Sequence, residues 1–348
     1  MIYVVIVVIG LLSLILLYQI GSIFDLVSIF KGEKDEYKDS NKLNAYLLLA
    51  FMIVFLVAIV WSGLSYKKYF LSTLGSASEH GEMIDSMFNQ TLFWTGLIFF
   101  ITQIALFWFA FKYRKREGQK ASFFHEDNKL EVLWTVIPSI VLVYLVVVGA
   151  RSWYNITAAP PKDAVVVEAT AYQFGWTFRY PGKDNKLGRR HYTLITPENT
   201  LGVDYTDEAA KDDIIVSNEL YLPNNKAVLV KIRSLDVLHA FYLPHFRVKM
   251  DAVPGTPTRF SFKPKLSTAQ MRKRLNKPEF NYELACAEMC GKGHFGMMRP
   301  VVVVEEDEFN NWLNEQIPYY DAVINKSKDK SEEEEETVIE TETESAEL

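Results

Sequence analysis

The stretch Cys286-Ala-Glu288-Met-Cys290-Gly-Lys-Gly-His294-Phe-Gly-Met297-Met298 holds the only two cysteines of the chain, close to an imidazole, a carboxylate and three thioethers. Thiolates are soft donors, imidazole is borderline, and a thioether is a weak, long axial ligand. Together they suit copper moving between its two oxidation states. Zinc usually takes four nitrogen or sulfur ligands and has no use for a thioether. The spacing Cys-x3-Cys is not the Cys-x-x-Cys-His of c-type haem attachment. Two cysteines this close could instead form a short-loop disulfide or lie as buried thiols. Neither alternative accounts for His294 four residues after Cys290, or for Met297 three residues further on.

The pattern Cys-x-Glu-x-Cys-Gly-x-x-His-x-x-Met resembles the binuclear copper A loop of cytochrome c oxidase subunit II. In that family both cysteines bridge two coppers, one histidine comes from the loop and a second from an upstream strand. The resemblance implies Cys286, Cys290 and His294 as ligands, Met297 as a weak ligand in preference to the adjacent Met298, and the backbone carbonyl of Glu288. It also implies a magnesium shared with subunit I through the Glu288 carboxylate. Upstream, Asp236-Val-Leu-His239 and Lys249-Met-Asp251-Ala-Val-Pro254-Gly255 match the family's strand and the segment after it, so His239 is the implied second histidine. His245, six residues on, is the alternative, with a solvated loop histidine as its plainer reading. His80, His125 and His191 have no comparable setting.

The elements that carry this site divide the chain in two. Hydrophobic residues make up 49% of the sequence, too many for a soluble chain of this length unless they are concentrated in spans. Four apolar runs, at about 2–24, 43–63, 92–111 and 132–150, have the roughly 20 residues needed to cross about 30 Å of hydrocarbon. The first has the length of a signal peptide's apolar region or more, but lacks a basic start and an Ala-x-Ala site, which favours an uncleaved span. Lys31, Lys34, Lys38 and Lys42 follow the first run; Lys112, Arg114, Lys115, Arg116, Lys120 and Lys129 follow the third. Basic loops stay cytoplasmic, which puts the N-terminus and everything after Ala150 outside.

The last two spans add to the resemblance. His125-x-x-Asn128-x-Leu130-Glu131-x-x-Trp134-Thr135-x-x-Pro138 is similar to the entry of the second span of subunit II, and Glu131 matches the acidic residue at the mouth of the family's K proton pathway. A glutamate in a first helical turn also complements the macrodipole, and the two roles are compatible. The family normally has two spans, so residues 1–79 are an addition, for which docking to a partner membrane protein is the expected use.

After Arg151 the pattern becomes short β-branched and aromatic runs, at 164–180, 226–233, 238–243, 258–263, 280–285 and 299–305, punctuated by Gly, Pro and Asn. This predicts an all-β sandwich of Greek-key type, which the resemblance sharpens to a cupredoxin barrel. Val301–Val304 reads as a strand buried on both faces. Residues 182–218 read as a polar, loop-like insertion and 266–277 as a basic, helix-prone one. Residues 306–316 form a short amphipathic helix with Phe309 and Trp312 on one face. The tail from Lys326 to Leu348, with five consecutive glutamates, lacks the apolar content to fold; it solvates the chain or attracts a basic partner. In many family members a Gln-Trp-x-Trp segment lies over the copper site. Here it reads Gln173-Phe174-Gly175-Trp176, so Phe174 stands at the electron-entry position and Trp176 matches the second tryptophan. At strand period the two would otherwise simply share a face.

The expected organisation is an extra N-terminal transmembrane hairpin (1–79), the subunit II transmembrane hairpin (80–155), an extracytoplasmic cupredoxin copper A domain (156–320) and a disordered acidic tail (321–348). The resemblance, over about residues 92–316, implies a respiratory cytochrome c oxidase subunit. It would take electrons from cytochrome c, or a cytochrome c domain, at a binuclear copper A centre and pass them to haem in subunit I. Oxygen is reduced there with proton translocation. It also implies a multi-pass protein of the bacterial plasma membrane with its copper domain on the periplasmic side, in contact with subunit I, other oxidase subunits and lipid, and open to a larger respiratory supercomplex. No phosphate-binding loop, nucleophile–base pairing or nucleic-acid signature is present. Two rivals share parts of the pattern. A quinol oxidase subunit II keeps the hairpin and β-domain without copper; the joint presence of His239, Cys286, Cys290, His294 and Met297 argues against it. A copper A domain of another reductase, such as nitrous-oxide reductase, would lack the spans and the Glu131 motif.

Overall fold

The computed structural model describes residues 2–31, 33–70 and 74–325; the acidic run from Lys326 lies outside them. Four long helices come first: α1 (Ile2–Lys31), α2 (Glu33–Tyr66), α3 (Glu79–Lys112) and α4 (Asn128–Ile156). They form over the apolar runs because a helix satisfies its own backbone groups, which hydrocarbon cannot do. Their ends reach beyond those runs into polar flanks. Among the described residues, Lys38–Tyr69, Glu79–Lys112 and Asn128–Ile156 are long and apolar enough to cross a membrane, and their most apolar windows are not buried by the rest of the chain. In α1 the described apolar stretch is shorter, Gly10–Ile23. At the start of α4 the Asp127 carboxylate accepts from the N–H groups of Lys129 and Leu130, both at 3.1 Å, and Glu131 lies exposed in the first turn.

Two compact units result, one from Met1–Tyr69 with Gln90–Leu142, the other from Phe70–Asn89 with Val143–Leu348. In the first, α2 and α3 meet through aromatic rings, Tyr46 on Phe111 at 5.2 Å and Phe51 on Phe107 at 5.7 Å.

In the second unit ten strands form two five-stranded sheets. One runs β3 (Ile214–Val216), β2 (Gly175–Tyr180), β1 (Val165–Tyr172), β5 (Val228–Ser234), β8 (Thr258–Phe262); the other runs β4 (Leu220–Pro223), β10 (Arg299–Val304), β9 (Tyr282–Cys286), β6 (His239–Leu243), β7 (Val248–Ala252). β1 with β5 and β4 with β10 are parallel, and the remaining pairs are antiparallel. The inward faces supply one core, including Val167, Ala169, Trp176, Phe178, Val230, Phe241, Leu284, Val301 and Val303. This is the sandwich that the sequence predicts. The run expected at 164–180 is two strands, because Gln173 and Phe174 form the turn of a hairpin whose partners are Tyr172 and Gly175. Phe174 therefore does not share a strand face with Trp176. Strands β3, β4 and β7 arise where no run was expected.

The two insertions are folded. Residues 266–277 contain α5 (Thr268–Leu275), closed by a capping box between Ser267 and Gln270, with Met271 in the core. The Thr268 hydroxyl accepts from the Val303 N–H at 2.9 Å, which docks α5 on β10. Residues 182–218 hold β3 and a small apolar cluster of Leu201, Val203 and Ala210, and they cover the outer face of β1 and β2. The reason for the cover is charge. Glu168 and Arg179 are cross-strand partners on that outer face, 1% and 2% exposed. Glu168 accepts from Arg179 at 2.8 Å, Arg190 at 3.1 Å and Arg233 at 2.6 Å, while Arg179 also meets Asp213 at 2.7 Å. Finally α6 (Glu306–Glu315) lays Phe309 and Trp312 on Tyr180 and Tyr221, as its amphipathic pattern predicts.

A strap ahead of α3 is built into this domain. Ala77 is fully buried; its N–H donates to the His245 carbonyl and its carbonyl accepts from the Lys265 N–H, each at 2.8 Å. About two turns into α3, Asp85 takes a bidentate pair from Arg247, at 2.7 and 2.9 Å.

The Glu168 carboxylate is pulled two ways: burial raises its pKa, and the three arginines outweigh burial, bringing it from 4.5 to about 2. A depressed carboxylate contributes stability above its unfolded pKa and loses it as pH falls, here between 4.5 and about 2. Asp213 behaves oppositely: burial outweighs Arg179 and lifts it from 3.8 to about 6, a cost that grows as pH rises through that interval. Glu168→Gln leaves buried guanidinium charge uncompensated and should cost about 3–5 kcal/mol at neutral pH. It should also remove the acid-side loss below pH 4.5. Denaturant unfolding against pH measures both, and a variant as stable as the parent at pH 7 would show that the network contributes no net stability.

Candidate metal centre

The site lies where β6 begins and β9 ends, on neighbouring strands of one sheet. His239 opens β6 with its ring fully buried, and its Nε2 lies 2.8 Å from the Asp236 carboxylate. With the proton of the imidazole on Nε2 for that bond, Nδ1 keeps its lone pair, and it faces the Cys286 sulfur at 3.8 Å. Cys286 closes β9. The chain then turns back so that the Glu288 carbonyl lies 3.2 Å from the Cys286 sulfur. Cys290 contacts His294 Nδ1 at 3.5 Å and the Met297 sulfur at 3.3 Å. Both cysteines are free thiols, and the donor atoms of His239, Cys286 and Cys290 lie within 4.8 Å of one another.

All the loop residues singled out from the sequence therefore meet at one place, and His239 joins them from its strand. Met297 is fully buried against Cys290, whereas Met298 is exposed. His245 lies at the far end of β6, where its ring packs edge-on against Phe280 and Tyr282 and burial pushes its pKa down. It is packed into the domain rather than solvated in a loop. Phe174 lies over the loop: a Cβ on Gly293 would come within 2.4 Å of its ring, and one on Gly291 within 2.9 Å. Trp176 lies beneath, fully buried, with its ring edge-on to His239 and Phe241 and its indole N–H donating to the Met297 carbonyl at 3.1 Å.

Gln173 and Asp236, to which the sequence alone assigns no role, hold the parts in place. The Gln173 N–H donates to Asp236 at 2.6 Å, and the Gln173 side-chain amide donates to the Cys290 carbonyl at 2.6 Å. One glutamine thus joins the histidine's carboxylate partner to the cysteine loop. Burial works to raise the Asp236 pKa, but hydrogen bonds from His239, Gln173 and Val237 hold it below the usual range. Burial, and then the proximity of Cys286, push the Cys290 thiol up to about 11. Two buried soft thiols, a buried and a half-buried imidazole, and a buried thioether fit a metal that displaces thiol protons.

The transmembrane-domain model of cytochrome c oxidase subunit II matches residues 65–151 and the periplasmic-domain model matches 165–306. An alternative cytochrome c oxidase subunit 2 of Bradyrhizobium diazoefficiens is 35% identical over 234 residues, which cover 67% of this chain and 80% of that protein. The chain belongs to the cytochrome c oxidase subunit II family. It is an oxidoreductase subunit with a cupredoxin-like domain, and its His/Cys group is consistent with a copper site. A cytochrome c oxidase subunit 2 of Cereibacter sphaeroides is 28% identical over 227 residues, 62% of this chain and 70% of that one. The solved periplasmic domain of subunit II from Bradyrhizobium japonicum is 30% identical and covers 44% of this chain and 94% of its own, with a TM-score of 0.30. Residues 1–64 lie outside the stretch that the family models match.

In this subunit II chain the Asp236 carboxylate fixes which imidazole nitrogen is free to bind metal. Asp236→Asn should lower copper affinity about 10–100-fold, as loss of a carboxylate behind a metal-bound histidine does elsewhere. Competition with a chelator of known affinity reads the change, and an unaltered affinity would show that the aspartate does not orient His239.

Proposed function

We propose that this chain is the electron port of a respiratory oxidase, holding a binuclear copper A centre on Cys286, Cys290, His239, His294, Met297 and the Glu288 carbonyl. The convergence of these donors around two free, buried thiols carries the reading. Copper held by the two cysteines, His239, His294, Met297 and the Glu288 carbonyl would supply one-electron uptake and release. The chain's own residues do the rest. Asp236 and Gln173 lock the loop to the strands, Trp176 fixes the Met297 backbone, and the sandwich buries His239, both cysteines and Met297. The same reading places the Glu288 carboxylate, which is exposed, toward a magnesium shared with subunit I.

Membership of the family supports the following context. The donor is a cytochrome c or a cytochrome c domain, and the acceptor is haem in subunit I, where oxygen becomes water. The copper domain faces the periplasm of a bacterial plasma membrane, and other oxidase subunits or a supercomplex surround the helices. Residues 1–79, 80–155, 156–320 and 321–348 are the extra hairpin, the family hairpin, the copper domain and the acidic tail. Glu131, exposed at the start of α4, admits protons to the K pathway while also complementing the helix dipole. Around the centre the surface carries large apolar side chains, Phe295 85% exposed and Met289 76%, with Leu238, Met298 and Phe174 exposed as well, beside the charged Glu288 and Lys292. A phenylalanine ring offers apolar contact to a haem edge but no indole N–H with which to orient a partner. Donor docking here is apolar and weakly charge-steered, or the donor is held nearby in a larger assembly.

One set of variants in the intact membrane complex tests this. Cys286→Ser or Cys290→Ser should abolish the near-infrared band and lower the copper content, and a mutant that keeps the band with two coppers per chain would sink the assignment. Glu131→Gln should slow steady-state turnover with the band intact; unchanged turnover at saturating donor would reduce Glu131 to a helix-start acid. Phe174→Ala should slow copper reduction at full occupancy, and raising salt should weaken the parent's rate only modestly, because salt screens the charge-steered part. A parent rate that collapses with salt, together with no effect of Phe174→Ala, would place electron entry at a charged docking site.

A further inference from the structure

The charge network beneath the 182–218 insertion is not closed on itself. Three guanidinium groups, Arg179, Arg190 and Arg233, face two carboxylates, Glu168 and Asp213. Both Glu168 oxygens are taken: Oε1 accepts from Arg233 Nε, and Oε2 from two nitrogens of Arg179 and from Arg190 Nη1. Arg190 Nη1 also donates to the Thr170 hydroxyl at 2.9 Å. Among the described residues the other guanidinium nitrogens of Arg190 and Arg233 have no partner. Yet the Arg190 side chain is only 10% exposed and that of Arg233 33%, so neither charge is fully hydrated. Burial works against the charge on Arg190.

These two arginines line one recess of about 450 Å³. The insertion adds His191, Tyr192 and Ile195 to its wall, the end of β5 adds Ser234 and Leu235, and the turn between β7 and β8 adds residues 253–257. His191 bonds Thr193 through Nδ1 at 2.7 Å, and its Nε2 has no partner among the described residues. Three cationic or protonatable groups therefore surround a half-open space with unused donors, one positive charge in excess and an apolar rim. A guanidinium presents two parallel N–H groups, a geometry matched by adjacent oxygens of a phosphate or carboxylate and not by a spherical halide.

We propose that this recess, between the 182–218 insertion and the turn joining β7 to β8, binds a small oxyanion of the phosphate or carboxylate type through Arg190 and Arg233. The site stands apart from the metal donors and does not depend on the identity of the metal. It adjoins them through one loop. Ser234 and Leu235 in its wall run directly into Asp236, the residue that holds His239 and the Gln173 N–H. An occupant therefore braces the loop that carries the histidine's partner.

Calorimetric titration of the full-length chain in detergent, at constant ionic strength, tests this with inorganic phosphate in one arm and citrate in the other. Saturable one-to-one binding is expected. Phosphate alone saturating identifies a phosphate site, and citrate alone a carboxylate site. Replacing Arg190 or Arg233 risks unfolding, because Glu168 would lose a partner. Thr256→Glu avoids this: Thr256 is exposed on the recess wall and outside the buried network. Its new carboxylate competes for the arginines and should weaken binding by about tenfold or more, as like-charge juxtaposition does, with the melting temperature unchanged. No saturable heat from either anion, or binding that Thr256→Glu leaves unchanged, overturns the proposal.

Discussion

Two thiols cannot lie side by side in a dry pocket and ionise together unless a cation takes the place of their protons. Burial and the neighbouring sulfur push Cys290 up to about 11, and the arrangement of the domain around the site follows from that constraint. The thiols are brought together by a turn of only three intervening residues, which is too short to fix itself. Gln173 and Trp176 fix it from the opposite sheet, each through a hydrogen bond to a loop carbonyl, at Cys290 and at Met297. The sandwich thus positions the candidate donors from two directions, with β6 and β9 carrying them and the β1–β2 hairpin contributing restraints. Gly291 and Gly293 are part of the same solution, because the Phe174 ring occupies the space their Cβ atoms would need.

The two faces of the β1 hairpin are stabilised by different physics. Inward, Trp176, Phe178 and Tyr180 bury aromatic surface at no electrostatic cost. Outward, Glu168 and Arg179 are cross-strand partners that ordinary sheets would leave in water. Here the insertion dehydrates them, which is expensive unless every lone pair finds a donor. Glu168 meets that condition and Asp213 does not: Asp213 Oδ1 is buried without a partner. Opposite shifts for two carboxylates around one arginine follow from that difference. The network therefore ties the insertion to the strands in one register, and removing a partner from it is costly.

The chemistry of the site was legible in the sequence because its donors are local. Cys286, Cys290, His294 and Met297 lie within one loop, and a pattern of that density has few other uses. His239 was reachable only through the family's Asp-Val-Leu-His motif. The role of Gln173 was not legible, because its contacts lie 63 and 117 residues away in the chain. Asp236 is only three residues from His239, a spacing that does not by itself report a hydrogen bond. The fold was legible in class and blurred in detail. β7 has charged Lys249 and Asp251 on its open face, and β4 is four residues ending in proline, so neither presented a run. The hairpin at 173–174 looks like continuous strand in the sequence because its turn residues are Gln and Phe rather than the usual turn formers. A charged residue midway along each of two apolar strands, Glu168 and Arg179, was the available signal for the buried network. It needed the register of β1 on β2 to become a pair.

Rigidity around the donors and softness at the surface belong to one design. The loop backbone is held by bonds at Cys290 and Met297, while its outward side chains, Met289 and Phe295, make no comparable commitments and stand in solvent. An apolar rim of this kind gains from desolvation when a partner arrives and loses little specificity to salt. It also costs solubility when unpartnered. Met and Phe carry that surface with adaptable shape rather than fixed hydrogen bonds. The chain can therefore hold its ligands to a tight geometry and still accept a donor whose contact surface is not matched to it charge by charge.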